Sequence, residues 1–134
     1  MFRVQLPSVL IGISFSHPTV VEKYLMGHTS DGTAVYAPPT EVRTTHCRVS
    51  ELELEEDGKT VKTETLLIEG EARCHPGDRF NRAIGRKFAL ERAMILAEEK
   101  DLLTHSERAT IWQSMRKQDK RLASVGASIR KHTR

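Results

Sequence analysis

A chain of 134 residues with 38% hydrophobic and 5% aromatic residues is long enough for one domain around an aliphatic core, which excludes a wholly disordered chain. Eight glycines and five prolines exclude collagen-like and low-complexity sequences. The net charge of +3, with a pI near 9.0, hides an asymmetry: residues 1–70 hold 6 Lys/Arg against 10 Asp/Glu, residues 71–99 hold 6 against 5, and residues 100–134 hold 9 against 3.

In chain order, the first apolar stretch (Val4, Leu6, Val9, Leu10, Ile11, Ile13, Phe15) is interrupted by Pro7 and has no small-residue cleavage site before His17 and Pro18. It reads as strand rather than a secretory leader. No run approaches the ~18 apolar residues of a membrane helix. Tyr24-Leu25-Met26 and Ala34-Val35-Tyr36 flank Thr29-Ser30-Asp31-Gly32, a hairpin with a longer loop. Pro38-Pro39 forces an extended link into the next strand.

Asp57-Gly58 predicts a second, long hairpin closed by a two-residue turn with positive φ at both positions. In that register Leu54 faces Val61, Leu52 faces Thr63, Val49 faces Leu66 and Cys47 faces Ile68. The apolar face then switches near Ser50-Glu51. Strands of about fifteen residues would reach about 50 Å, beyond a domain of this size. The tip is therefore expected to curl or overhang, with Leu52, Leu54 and Val61 exposed as a homo-oligomer contact.

Near Pro76 the composition changes from β-branched residues to Ala, Leu, Met, Arg, Glu and Lys. A helix is expected over 78–100, capped by Asp78, with Phe80, Ile84, Phe88 and Ile95 as its buried stripe and Ala83, Leu90, Met94 and Ala97 beside it. Gly85 inside this helix costs about 1 kcal/mol relative to Ala, which close approach to a strand would justify. A second helix over 105–125 opens on Thr104-His105-Ser106-Glu107, a capping box. Met115, Leu122 and Ile129 recur every seven residues along it, with Ile111 and Val125 at the offset position. Residues 126–134 form a basic tail. Strands first and helices second make a single α+β domain, with four or five antiparallel strands in a β-rich part over 1–75.

The stretch Glu69 to Ala93 carries Gly70, Ala72, Pro76, Asp78, Gly85, Ala89, Leu90, Arg92 and Ala93 in a strand, Pro-Asp turn and helix order. In these positions it resembles small phage and actinobacterial proteins of uncharacterised role with a double-stranded-RNA-binding-domain-like fold. The resemblance covers about 25 residues and implies a core of three strands followed by a helix, in a phage-type protein.

Arg79, Arg82 and Arg86 fall at i, i+3 and i+7, one face of the first helix, with Ala89 and Ala93 continuing the stripe. Guanidinium groups on one face suit phosphate, and pairing with strand glutamates is the alternative. On the second helix Arg116, Lys117, Lys120 and Arg121 cluster one turn beyond Trp112, a pattern that suits nucleic acid. Trp112 as a core residue is the alternative there.

Two cysteines predict reduced thiols and a cytoplasmic location, the host cytoplasm for a phage protein. His46-Cys47 and Cys74-His75 lie roughly 20 Å apart in the predicted register and match no zinc spacing. No catalytic triad, paired carboxylates, phosphate loop or cofactor motif is found, and His75 beside Asp78 is a poor acid/base pair. The sequence is expected to encode a non-catalytic protein, without metal or cofactor, that binds nucleic acid or a nucleic-acid complex. Inhibition of a host defence component, either a protein or an anionic nucleotide messenger, and a role in virion assembly are the other expectations.

Overall fold

Period-two patterning in the first half produces strands, and the Ala/Leu-rich second half produces two helices. The computed structural model describes residues 1–75 and 79–132, with side chains up to residue 120. The strands are β1 (Phe2–Gln5), β2 (Leu10–Ser16), β3 (Thr19–Glu22), β4 (Leu25–His28), β5 (Ala34–Tyr36), β6 (Thr40–Leu54) and β7 (Val61–Arg73). The helices are α1 (Arg82–Glu99) and α2 (His105–His132). The fold is α+β: a five-stranded antiparallel sheet, a separate two-stranded sheet of β4 and β5, and two C-terminal helices.

β6 organises the main sheet. β7 runs along one edge of it, and β2 and β3 run along the other in one unbroken register. Between β2 and β3, Pro18 has no N–H to donate, but its carbonyl accepts from Thr44 N at 3.1 Å and Thr44 Oγ1 at 2.8 Å. His17 and Pro18 thus interrupt the ladder without displacing the strand.

The long hairpin forms, with two corrections to its expected geometry. Leu54 does pair with Val61, but β-bulges then shift the register, so that Leu52 faces Glu64, Val49 faces Ile68 and Cys47 faces Gly70. Each bulge places one extra residue in β7 and bends the ribbon. The turn is also longer than two residues. Glu55 N bonds Thr60 O at 2.7 Å, and only Gly58 has positive φ (68°). Asp57 closes the loop instead, accepting from Lys59 N and Thr60 N at 2.8 Å and from Thr60 Oγ1 at 2.6 Å. Those bonds, led by the Thr60 hydroxyl, hold the Asp57 carboxyl down at about 2.

The expected change of apolar face occurs at the bulge. Cys47 and Val49 belong to the helix-covered core, whereas Leu52 lies over Gly12, where a Cβ would meet Leu52 Cδ1 and Met1 Sδ at 2.8 Å. This overturns the exposed tip: Leu52 is only 7% exposed, and Leu54 and Val61 are half-buried within the single chain. On the hairpin Leu66 is the exposed apolar side chain, and a larger exposed group lies on the β4–β5 arm (Tyr24, Leu25, Met26, Val35, Tyr36).

The buried face of α1 also differs from the expected stripe. Ala89, Leu90, Ala93, Met94 and Ala97 face the sheet, while Ile84, Phe88 and Ile95 are about half exposed. Small residues win because the helix sits almost on the strand backbone. A Cβ at Gly70 would fall closer than 3.0 Å to the backbone of Ala89 and Ala93, and one at Gly85 closer than 3.0 Å to Thr45 Oγ1. Gly85 is therefore the expected close approach to a strand. Ala89 and Ala93, fully buried there, are not open to a partner.

The N-cap of α1 is Asn81, whose Oδ1 accepts from Ile84 N at 3.2 Å; Asp78, the expected cap, lies outside the described residues. α2 has its capping box: Thr104 Oγ1 accepts from Glu107 N at 3.1 Å and Glu107 Oε1 from Thr104 N at 2.9 Å. The backbone of α2 is helical through His132, beyond the expected end at 125. Ile111 and Met115 carry α2 into the core.

Candidate anion-binding surface

The start of α1 gathers positive charge where a helix least tolerates it. Unpaired N–H groups give a helix N-terminus a partial positive charge, which carboxylates normally offset. α2 follows that rule with Glu107, but the first turn of α1 contains no acidic residue and begins with Arg82.

The register of β3 and β6 brings further residues to this place. Arg43 of β6 lies over the Phe80 ring, its Cζ 4.5 Å from the centroid. His17, in the β2–β3 link, meets Phe80 edge-on at 5.7 Å, and its Nδ1 is 2.9 Å from Thr45 Oγ1. Burial first, then the charges of Arg82, Arg86 and Arg43, hold His17 below its ordinary pKa. Four elements of sequence thus converge on one basic, aromatic corner. Beside it a cavity of about 410 Å³ is bounded by Thr45, Arg79, Phe80, Gly85, Ile84 and Phe88, among others.

The predicted cations do not all remain available. Arg86 turns inward, with 19% of its side chain exposed, and pairs with Asp119 of α2 at 3.2 Å. It joins the two helices rather than presenting charge. Arg79 lines the cavity and Arg82 is exposed. Arg116, Lys117 and Lys120 are exposed on α2; Arg121 is on the helix, but its side chain lies outside the described residues. Trp112 is half-buried against the core and still lines two grooves between the helices, both with Glu91 and Arg116.

Strand glutamates do not neutralise these helical cations. Glu22 and Glu71 bond Arg73, Glu69 stands 3.5 Å from Arg48, and Glu53 stands 3.8 Å from Lys62, all within the sheet. Among the described residues no carboxylate comes within 4.0 Å of the cationic groups of Arg43, Arg79, Arg82, Lys87, Arg116, Lys117 or Lys120.

Arg79, Arg82 and the α2 cluster are singled out by the sequence pattern, whereas Arg43, His17 and Phe80, which meet at the start of α1, are not. Only the pairing of Thr19 with Arg43 brings them there, and no local motif carries that information. No protein family, curated protein or solved structure matches the chain. Among the described residues no helix is long and apolar enough to cross a membrane.

Proposed function

We propose that this is a non-catalytic, phage-type binding protein that takes nucleic acid on the cationic faces of α1 and α2. The observation that carries the reading is the separation of charge. Glu22, Glu53, Glu69 and Glu71 of the sheet pair with cations of the sheet, while Arg79, Arg82, Lys87, Arg116, Lys117 and Lys120 have no carboxylate partner among the described residues. Stability alone disfavours arginine in a first helical turn that holds no acidic residue, as in α1. A bound phosphate removes that penalty and gains charge-assisted hydrogen bonds.

Binding of labelled single- and double-stranded oligonucleotides, followed by fluorescence anisotropy, tests this. Micromolar affinity is expected at 50 mM salt, weakening at least tenfold by 200 mM. No binding of either form at 50 mM overturns the reading.

A second reading, assembly with further copies, is favoured by the β4–β5 arm. Leu25, Met26 and Tyr36 there are 54%, 71% and 55% exposed. A two-stranded sheet is marginal alone, and these side chains are left more than half exposed among the described residues. Light scattering of wild type and Met26→Ser checks it: a concentration-dependent oligomer that the variant dissociates supports it, and a monomer at 100 μM contradicts it.

A further inference from the structure

The cavity at the start of α1 has a lining of two unlike parts. Phe80, Ile84 and Phe88 give its lining an apolar, aromatic part, and Thr45 and Gly85 line it as well. Ile84 and Phe88 are 54% and 50% exposed, so their apolar surface is open to a ligand. The other part is polar, with Arg79 and Asn81 on the lining. Arg73 also lines it, but Glu22 and Glu71 neutralise that guanidinium.

Size and charge restrict what would fit. A volume of about 410 Å³ is at the small end of ligand sites and takes one nucleotide, not a duplex. The Phe80 ring already carries Arg43 on one face, which polarises it for a stacked planar group. Among the described residues, Arg79 on the lining, Arg43 over the Phe80 ring and the helix terminus provide more positive charge than one phosphodiester supplies in return. A phosphomonoester, with nearly two negative charges at neutral pH, matches it better.

Resting on the nucleic-acid reading above, we propose that this cavity is a pocket for a nucleoside 5′-phosphate, its heterocycle against Phe80 and Phe88 and its phosphate on Arg79. The same chemistry is offered by a free mononucleotide and by the 5′ end of a strand. The pocket would therefore read strand ends, while Arg116, Lys117 and Lys120 hold the backbone that follows.

The experiment uses the full chain and four probes: adenosine 5′-monophosphate, adenosine, and one single-stranded octamer with either a 5′-phosphate or a 5′-hydroxyl. The phosphorylated octamer is expected to bind at least tenfold tighter than its hydroxyl twin. Phe88→Ala, at an exposed position outside the cationic surface, should abolish that difference and leave the hydroxyl octamer's affinity within about twofold, whereas Arg79→Ala should abolish the difference and also weaken the hydroxyl octamer. Lys117→Ala/Lys120→Ala should weaken both octamers alike. Adenosine 5′-monophosphate should bind where adenosine does not, and should raise the pH at which His17 titrates by NMR, because His17 and Arg43 both touch Phe80 on the lining and negative charge there favours the protonated imidazole. Preference for the free nucleotide over both octamers supports the pocket and makes the mononucleotide its ligand, while overturning the polymer reading. Equal binding of the two octamers, with no response of His17 to the nucleotide, overturns the pocket and leaves the polymer reading standing. A 5′-phosphate preference that survives both Phe88→Ala and Arg79→Ala also overturns it, since the end is then read elsewhere.

Discussion

Two glycines set how close α1 can come to the sheet, and they differ in what a methyl group would strike. At Gly85 the obstacle is the Thr45 side chain; at Gly70 it is the helix backbone at Ala89 and Ala93. Gly85→Ala gains about 1 kcal/mol of helix propensity against an overpacking cost of about 1–3 kcal/mol. Gly70→Ala has no offset and must displace the helix. Urea denaturation should give a loss of about 1 kcal/mol for Gly85→Ala and about 3 kcal/mol for Gly70→Ala, with unchanged m-values. Equal losses would mean that the backbone contact at Gly70 is not the tighter one.

His17 makes a pH prediction at the same scale. Burial and then Arg82, Arg86 and Arg43 lower its folded pKa below the unfolded value of 6.5. The unfolded chain therefore takes up the proton first as pH falls, and stability is lost from about pH 6.5 downward until the folded pKa is passed. Above pH 6.5 the group has no effect. Wild type should lose more of its urea midpoint between pH 7.5 and 5.5 than His17→Gln, and equal losses would contradict the assignment. Cys47 is a related case: burial pushes its thiol up to about 12, so iodoacetamide at pH 8 should modify it only after unfolding.

At the scale of elements, the α1–α2 junction depends on the Arg86–Asp119 pair, which is partly shielded from solvent. Asp119→Ala should cost about 1 kcal/mol in thermal or urea unfolding. It should also raise oligonucleotide affinity, because Arg86 then joins the unpaired cations; unchanged affinity would place Arg86 outside the binding surface. Thr104→Ala removes the acceptor for Glu107 N at the α2 cap and should cost about 1 kcal/mol.

Elements were legible where local chemistry decides. Period-two strands, the β4–β5 hairpin and the capping box at Thr104 follow from residues a few positions apart. The hydrophobicity of Phe80, Ile84, Phe88 and Ile95 gave the wrong buried face for α1. The decisive term there was helix-to-sheet distance, set by Gly70 on a strand that is remote in sequence. The hairpin tip failed for a similar reason. Asp57-Gly58 predicts a tight turn, but the Asp57 side chain satisfies a longer loop, and two bulges then move every pair below Leu54.

For the whole molecule, the asymmetry of charge along the chain becomes an asymmetry of pairing in space. Glu22, Glu53, Glu69 and Glu71 of the sheet meet sheet cations, and Arg79, Arg82, Lys87, Arg116, Lys117 and Lys120 of the helical half have no carboxylate partner among the described residues. Composition revealed that half of the result, since the counts per segment need no structure. It could not reveal that Arg43 from the acidic half joins the α1 arginines, because that rests on strand register.

The account stands or falls on those cations acting together on a polyanion, and the salt dependence of binding measures this. The slope of log affinity against log salt should be about −4 or steeper for wild type, and shallower by roughly one for each of Arg79, Arg82, Lys117 and Lys120 changed to Ala. A slope near zero, or a quadruple variant with the wild-type slope, would contradict it.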